Sequence, residues 1–512
     1  MTNFSPNVVA REFDFSDYAV RSSTAILGVV GYATKGPCHQ PIFVSNEREL
    51  VDTFGFPEVA TVGQDSVTKN LVLSALQFLR EGNQMIVVRC NTAAASASAN
   101  LVNGSAVNVL AVTAVSPGSW GSAVSVRVSA GTAGGSYFKM EVLVDGVVRE
   151  KYDNLTTLAA DPTNWASARI NSGSFLIQVT EAAGAVSGNL IPLMAPTTTA
   201  LTGGSDGNSP TASDYFGAGN GLDVLADTDL VSINMLITPG ASREVSDATQ
   251  TVARAAIALC EARGDCIYLM DPIYTLATAT QTRDSVNGGN GEANGPAIDS
   301  SYASFCSPWI QVYDTYNRKA VWVPPSAFQA AQCAYNDRVA HAWFAAAGLT
   351  RGKLKNALAV KFSYKQADLE VVQAPREVVN PIRNIVREGI VIWGQRTMQR
   401  KSSALDRLNV RRMLNYAKST VIGATKVLIF EQNDSKTWRK FLQLVNPVIQ
   451  HIKETRGLYD FRVICDATTN PPATIDQYLM QAKILLKPTK TAEIITVDFN
   501  VLSTGASFNE FI

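Results

Sequence analysis

The chain has 512 residues, too many for one ordinary hydrophobic core, so we expect roughly two to four domains. Hydrophobic residues make up 46% and charged residues 17% of the chain, which is close to the average of soluble globular proteins and excludes wholesale disorder. Lys plus Arg and Asp plus Glu both number 44, so the net charge does not indicate binding to nucleic acid or to an anionic membrane. No apolar run is long enough to span a bilayer.

Residues 1–22 are predicted to form an extended arm. Pro6 and the polar start disfavour a helix, and Val9, Phe13 and Phe15 fall on one side of a segment with the period of a strand. A lone strand cannot satisfy its own backbone groups, so we expect this one to pair with another segment. The mixed charge of the same start is unlike a secretory signal, which predicts a soluble protein made in the cytoplasm.

The next stretch has the pattern of a βαβ unit. Ala25–Gly31 and Met85–Arg89 are short apolar runs typical of buried strands. Between them we predict a helix that is capped by Asp65 or Ser66 and ends at Gly82 in the C′ position. Its apolar positions at helical spacing are Val67, Leu71, Ala75, Phe78 and Leu79.

The composition changes at about Thr92 and stays rich in Ala, Ser, Thr, Gly and Val up to about Gly207. Charges are sparse there, and short alternating runs such as AVSVRVSA and FKMEVLVDG are typical of strands. We therefore predict a β-rich inserted domain at residues 92–205. It interrupts a discontinuous core domain formed by residues 23–91 and 206–400.

The α/β pattern resumes in residues 206–400. Strands are predicted at Leu230–Gly240 and Cys266–Pro272, with a helix over residues 243–265 between them. Residues 287–295 are predicted to form a Gly/Asn-rich loop, and further strand and helix signals continue to Gly394.

The last hundred residues are predicted to form a separate unit. Helices are predicted over residues 404–430 and 434–454, followed by strands at 461–465 and 479–488. The second helix carries an apolar stripe of Trp438, Phe441, Leu442, Val445, Ile449 and Ile452. The chain then ends with a strand-like run in which Ile495, Val497, Phe499 and Val501 alternate with other residues. We assign 401–492 to a C-terminal domain and 493–512 to a terminal strand and arm.

Motifs that would indicate catalysis lack their structural context. Gly203–Gly207 fits the G-x-S-x-G pattern of a nucleophile elbow, but no strand precedes it and Pro210 follows closely, so we interpret it as a turn. Gly217–Asp223 has the wrong spacing for a dinucleotide fingerprint, and Gly348–Lys353 is not a phosphate-binding loop. The sequence therefore predicts no catalytic and no cofactor-binding residues.

Metal and disulfide chemistry receive no clear support either. The three histidines and seven cysteines include no C-x-x-C pair and no two histidines at metal-ligand spacing, so no metal site is predicted. The cysteines either remain reduced and mostly buried or cross-link subunits of an assembly outside the cytosol.

Eight stretches, spread in order along nearly the whole chain, contain short motifs that can be compared with those of known families. They are Gly28–Pro57, Ser116–Val128, Leu201–Gly207, Ser300–Asp314, Val323–Gly348, Asn380–Met398, Arg407–Asp434 and Cys465–Asp476. The first contains a strand followed by G-x-A-x-K-G-P, the fifth begins V-P-P-S, and the sixth contains N-P-I-R and W-G-x-R-T. In these motifs the chain resembles the contractile phage tail sheath family. It departs from the family pattern at residues 342–347, which lack a Gly and a Pro, and at Ser122, where the family has Asn.

The resemblance implies an α/β (α+β) multidomain fold and a structural role without catalysis. Sheaths of this family stack as hexameric rings in a helical array around a tail tube, and they contract to drive the tube through the host envelope during genome delivery. Expected partners are further copies of the chain, the tube protein, and baseplate and neck or tail-terminator proteins, with no nucleic acid, no membrane insertion and no cofactor. The expected location is the virion, after assembly in the host cytoplasm.

The resemblance also assigns roles to parts of the chain. The two terminal segments are expected to exchange strands between subunits, the insertion to face outward, and residues 401–492 to face the tube. Lys436, Arg439 and Lys440 lie at i, i+3 and i+4, opposite the apolar stripe, and form either a tube contact or an ordinary solvated helix face.

Two other functions are alternatives to a phage tail. One is the sheath of a related contractile injection machine, such as a secretion system or a bacteriocin-like particle. The other, of a different class, is a soluble α/β enzyme that carries similar turns.

Overall fold

The computed structural model describes residues 25–58, 69–183, 186, 190–194, 197–243, 245–246, 250–287, 297–374 and 376–494. The first described segment and the start of the second contain β1 (Ile26–Gly31), β2 (Pro41–Val44), α1 (Glu47–Phe54), α2 (Leu71–Leu79) and β3 (Gln84–Arg89).

The predicted βαβ unit is present, because β1 and β3 pair in parallel with Leu27 opposite Met85. The cap predicted at residues 65–66 lies outside the described residues, and α2 begins at Leu71. The role predicted for Gly82 is wrong, since its φ is not left-handed. Its amide donates to the Phe78 carbonyl (2.8 Å), and an added Cβ would lie 2.3 Å from the Phe78 ring, so close packing requires glycine there.

Residues 98–200 form two antiparallel sheets around one apolar cluster. The elements are β4 (Ser98–Val102), β5 (Asn108–Ala114), β6 (Val124–Ala130), β7 (Phe138–Val144), β8 (Val147–Leu155), α3 (Ala166–Gly173), β9 (Ile177–Glu181) and β10 (Thr199–Ala200). The strand orders are β10-β6-β7-β8 and β4-β5-β9. Inward side chains alternate with outward ones, as in β6, where Val124, Val126 and Val128 are buried.

The α/β pattern returns after this segment. The elements are α4 (Ala212–Phe216), β11 (Met235–Ile237), α5 (Val252–Arg263), β12 (Ile267–Met270), α6 (Ala279–Asn287), β13 (Ala303–Ser307), β14 (Ile310–Asp314), β15 (Lys319–Val323), α7 (Pro325–Val339), α8 (Gly348–Arg351), β16 (Ala359–Val360), α9 (Gln366–Val372), β17 (Val379–Ile385) and β18 (Gly389–Ile392).

Helix α5 begins later than its apolar periodicity predicts. We expected it to start at Arg243, but it begins at Val252 after the N-cap Thr251, whose hydroxyl accepts a hydrogen bond from the Arg254 amide (3.4 Å). A threonine cap satisfies a free amide of the first turn, so the helix starts there instead of extending back toward Arg243.

The central sheet has eight strands in the order β18-β17-β13-β12-β11-β1-β3-β2. Its six inner strands are parallel, and β2 and β18 are antiparallel at the edges. One face packs against α5, α6 and α9, and the other against α1, α2 and α7. Burial on both faces explains why the inner strands are continuous apolar runs in the sequence.

The C-terminal unit, defined here as the elements from Leu408 to Pro488, pairs two helices with a hairpin. Its elements are α10 (Leu408–Thr425), α11 (Ser435–Glu454), β19 (Leu458–Ile464), α12 (Pro472–Ile475) and β20 (Lys483–Pro488). The stripe predicted on α11 is confirmed, because Phe441, Val445, Ile449 and Ile452 are buried and Trp438 packs against them. The mixed α/β class predicted from the sequence is confirmed.

Candidate assembly surfaces

The basic patch, Lys436, Arg439 and Lys440, is exposed on the first two turns of α11. Arg439 Nε donates to the Ser435 carbonyl (3.1 Å), and Lys440 Nζ lies 3.6 Å from the Glu431 carboxylate. The patch is on the face opposite the buried stripe, as predicted. A cation in the first turn opposes the helix dipole, so the position of Lys436 does not serve the stability of α11 itself.

The residues predicted to form intersubunit arms lie outside the described residues. They are Val9, Phe13, Phe15, Ile495, Val497 and Phe499. The described chain nevertheless shows where both segments join the body. The first precedes β1 in the central sheet, and the second follows Ile494 after the C-terminal hairpin.

The hairpin β19–β20 is a two-stranded sheet. Ile484 and Leu486 pack toward the helices, whereas Leu485 and Tyr459 are exposed. Within the described residues neither outer edge of this hairpin has a partner strand. Such edges carry unpaired N–H and C=O groups that can accept an added strand.

A side-chain cluster holds the chain that leaves the hairpin. Arg407 Nε and Nη2 donate to the two carboxylate oxygens of Glu493 (2.7 and 2.9 Å). Gln395 Nε2 donates to the Thr491 hydroxyl (2.7 Å) and to Glu493 (3.3 Å). Burial tends to raise the pKa of Glu493, but the Arg407 guanidinium outweighs it and lowers that pKa. The cluster was not predicted from the sequence, because its members are far apart in the chain.

The C-terminal unit meets the central sheet through buried polar side chains. Arg412 and Asp337 form an ion pair at 2.6 Å, and their side chains are 5% and 6% exposed. Asn409 Nδ2 donates to the Trp343 carbonyl (3.0 Å), and Asn415 Nδ2 donates to the Cys266 carbonyl (3.1 Å). A cavity of about 10 Å³ lies beside Arg412 and Asn415, roughly the room for one water.

A second cluster, the Arg89 hub, lies where the insertion leaves the central sheet. Arg89 is fully buried, and its guanidinium donates to the carbonyls of Gly36 (2.6 Å), Pro117 (2.6 Å) and Asp206 (3.0 Å). Burial lowers the pKa of Arg89, although an arginine remains charged. The Asp206 carboxylate accepts hydrogen bonds from the Ser119 amide (2.6 Å) and hydroxyl (3.0 Å).

The hub explains the Gly203–Gly207 motif. The segment is irregular, with isolated bridges from Thr202 to Ser98 and from Ser205 to Ala95. An added Cβ on Gly204 would lie 2.5 Å from the Gly118 carbonyl oxygen, so the two turns touch only because this residue is glycine. The motif lines the root of the insertion, and Ser205 is not held on a strand-to-helix turn.

At the carboxyl edge of the central sheet, Asp271 is buried and hydrogen-bonded through both carboxylate oxygens. Its carboxylate accepts from the Ser326 amide and hydroxyl (both 2.8 Å) and from the Gly240 amide (3.1 Å). Burial raises the pKa of Asp271 to about 7, against the effect of these donors. The carboxylate links β12 to the start of α7.

Metal-binding clusters and membrane-spanning helices are both absent from the part of the chain that the structure describes. Within these ranges, no group of three or more His, Cys, Asp or Glu side chains is placed to hold a metal ion. No described helix is both long and apolar enough to cross a membrane. All seven cysteines are free thiols, and the Cys260 and Cys266 sulfurs lie 3.3 Å apart.

The C-terminal part of the chain matches a known family. Residues 400–502 match the model of the phage tail sheath C-terminal domain. This range contains the two long C-terminal helices, the hairpin and the basic patch.

Among curated proteins, the chain is similar to the tail sheath protein of Vibrio phage KVP40, with 32% identity over 323 residues. The match covers 60% of this chain and 47% of that protein, so the chain spans about half the length of this relative.

Two solved structures share the fold at low identity. A sheath tail protein from Listeria innocua has a TM-score of 0.60 and 12% identity, over 87% of this chain and 89% of that chain. The PVC sheath complex of an extracellular contractile injection system, in the contracted state, has a TM-score of 0.54 and 14% identity, over 98% of each chain.

Proposed function

Because the chain belongs to the contractile phage tail sheath protein family, we propose that it is a structural subunit that polymerises as stacked hexameric rings around a tail tube. Contraction of this array drives the tube through the host cell envelope during genome delivery. The match of residues 400–502 to the sheath C-terminal domain carries the proposal. The subunit acts without catalysis and without a cofactor, because the energy is stored in the assembled lattice.

Strand exchange holds neighbouring subunits together in this proposal. The two-stranded hairpin offers unpaired edges within the described residues, and residues 1–22 and 493–512 carry alternating patterns. A terminal strand of one subunit adds to the hairpin of another through main-chain hydrogen bonds. Such bonds persist while the subunit bodies rotate.

The tube is contacted by the basic patch. The three cations are exposed on one helix face, and Lys436 lies in the first turn, where the helix dipole disfavours a cation. An acidic tube surface would offset that cost and give the patch a function. The insertion, residues 92–205, faces outward, and baseplate and neck proteins bind the ends of the array.

The experiment is a deletion of residues 1–18. We expect a folded, soluble subunit that no longer forms tubes in negative-stain micrographs, because the donor strand is missing. A matched variant with only residues 2–5 replaced by Gly and Ser should still polymerise, since the alternating segment is kept. Normal tubes from the deletion variant would contradict strand exchange by the N-terminal arm.

A related injection machine is the second candidate, favoured by the likeness to the PVC sheath complex over 98% of the chain. Micrographs of the native particle separate the two functions. A capsid on the sheathed tail supports the phage function, and headless sheathed particles support the injection machine. A small oligomer of uniform size that turns over a substrate would contradict both.

A further inference from the structure

The last described residues of the chain are tied back to the body. After β20 ends at Pro488, Thr489 donates its amide to the Gly457 carbonyl (3.1 Å). Thr491 and Glu493 are then held by Gln395 and Arg407. The chain therefore passes from the hairpin to the N-terminal end of α10 before it reaches residue 495.

Arg407 and Gln395 are themselves fixed. The Leu408 amide donates to the Gln395 carbonyl (2.8 Å), and Arg407 lies directly before α10 and is paired with Arg396 by an isolated bridge. The Arg407 and Glu493 side chains are only 27% and 38% exposed. A bidentate arginine–carboxylate pair on a fixed backbone specifies direction as well as distance.

We propose that Arg407, Gln395 and Glu493 form a latch that sets the point and direction at which the C-terminal segment leaves the subunit, and that self-assembly requires this placement. The inference rests on the proposed function, since it concerns the segment expected to exchange strands. A donor strand that starts from a fixed point loses less freedom on docking than one that starts from a free tether, so the latch promotes polymerisation.

The test compares Glu493→Gln, Arg407→Gln and the double variant in the dilute full-length protein. Hydrogen exchange of the Thr489 amide, which donates to the Gly457 carbonyl (3.1 Å), should rise about tenfold in each single variant, as expected for loss of one charge-assisted hydrogen-bonded pair. The double variant should rise by less than the product of the two single effects, because both remove the same pair. Glu388→Gln, which breaks the exposed Lys353–Glu388 pair (3.1 Å), is the control and should leave exchange at 489–494 unchanged.

Polymerisation is then measured on the same variants by micrographs. We expect fewer or shorter tubes from the Glu493 and Arg407 variants, with thermal melting close to that of the starting protein. Unchanged exchange at 489–494, or raised exchange with normal tubes, would overturn the latch. A chain that lacks residues 495–512 and still polymerises normally would contradict strand exchange by the C-terminal arm and the requirement of the latch for assembly, whereas the exchange result would still report on the latch contact itself.

Discussion

Two parts of the molecule are attached to the same central sheet by different chemistry. At the root of the insertion, the Arg89 guanidinium donates only to backbone carbonyls in the described structure. The C-terminal unit is joined to α7 of the core by the buried ion pair of Arg412 with Asp337, and the chain that leaves this unit is held by Arg407 with Glu493.

The difference predicts how each junction responds to substitutions and to pH. The carbonyl oxygens that Arg89 contacts are present whatever the side chain and do not titrate, so these contacts depend on one arginine and on close glycine packing. Ion pairs depend on two residues at once and on pH. We therefore expect one substitution to destabilise either root, but only at the C-terminal root should replacing the partner as well restore most of the stability.

The largest effect is expected for Arg412→Met. It leaves the Asp337 carboxylate buried without its cation, which should lower the free energy of unfolding by about 3–5 kcal/mol in urea titrations. The double variant Arg412→Met, Asp337→Leu should recover most of this loss, because no buried charge remains. Equal losses of unfolding free energy in the single and double variants would contradict a role for the unpaired Asp337 carboxylate.

Arg89→Met should cost about 3 kcal/mol, because three buried carbonyls lose their donor at roughly 1 kcal/mol each. Urea titration gives the value, and limited proteolysis should show faster cleavage near residues 92–97 and 202–208. Arg80→Met is the control at an exposed position and should change stability by no more than about 0.5 kcal/mol. A loss as small as that of the control would contradict the role of the hub.

Replacing residues 92–205 by a Gly/Ser linker should leave the sheath core folded and able to form tubes. The Pro117 carbonyl leaves with the insertion, so the free energy of unfolding of the core should fall by about 1 kcal/mol. Circular dichroism and micrographs provide the two measurements. Complete misfolding would show that the insertion is not an independent outer domain.

Acidification should loosen the chain that leaves the C-terminal unit. The folded-state pKa of Glu493 is lowered, so its pair with Arg407 stabilises the protein above the ordinary glutamate pKa of about 4.3, and this is lost as the pH falls through the lower folded value. Hydrogen exchange at 489–494 should rise in that range, whereas Glu493→Gln should show no such step. Exchange at 489–494 that stays constant through this pH range would contradict the stabilising role of the Arg407–Glu493 pair.

Reversal of charge at Lys436, Arg439 and Lys440 should change stability least. An acidic side chain at 436, in the first turn of α11, favours the helix dipole, whereas one at 440 faces the Glu431 carboxylate, so the free energy of unfolding should change by no more than about 0.5 kcal/mol. The variant should polymerise without enclosing tube if the patch binds an acidic tube surface. If the particles of this variant still contain tube, the patch is an ordinary solvated helix face.

Local patterns predicted much of the fold. The paired strands around Leu27 and Met85, the stripe on α11 and the composition change at Thr92 are all periodic or compositional signals. The predicted start of α5 was wrong because apolar periodicity continued past the point where Thr251 caps the helix.

The junctions could not be predicted in the same way. Glu493 is far in sequence from Arg407, and a single sequence carries no signal that pairs them. Arg89 left a weak signal, since it ends an otherwise apolar buried strand, but its three carbonyl partners come from distant turns. Side-chain contacts of this kind follow from the tertiary fold.

The insertion is entered and left at one place. Thr92 is bridged to Asn208, Ala95 to Ser205 and Ser98 to Thr202, so the outgoing and returning chains run side by side. Anything inserted between them adds to the surface without changing the path of the central sheet. Related chains can therefore differ greatly in length at this site, and a foreign protein with adjacent termini could be displayed there.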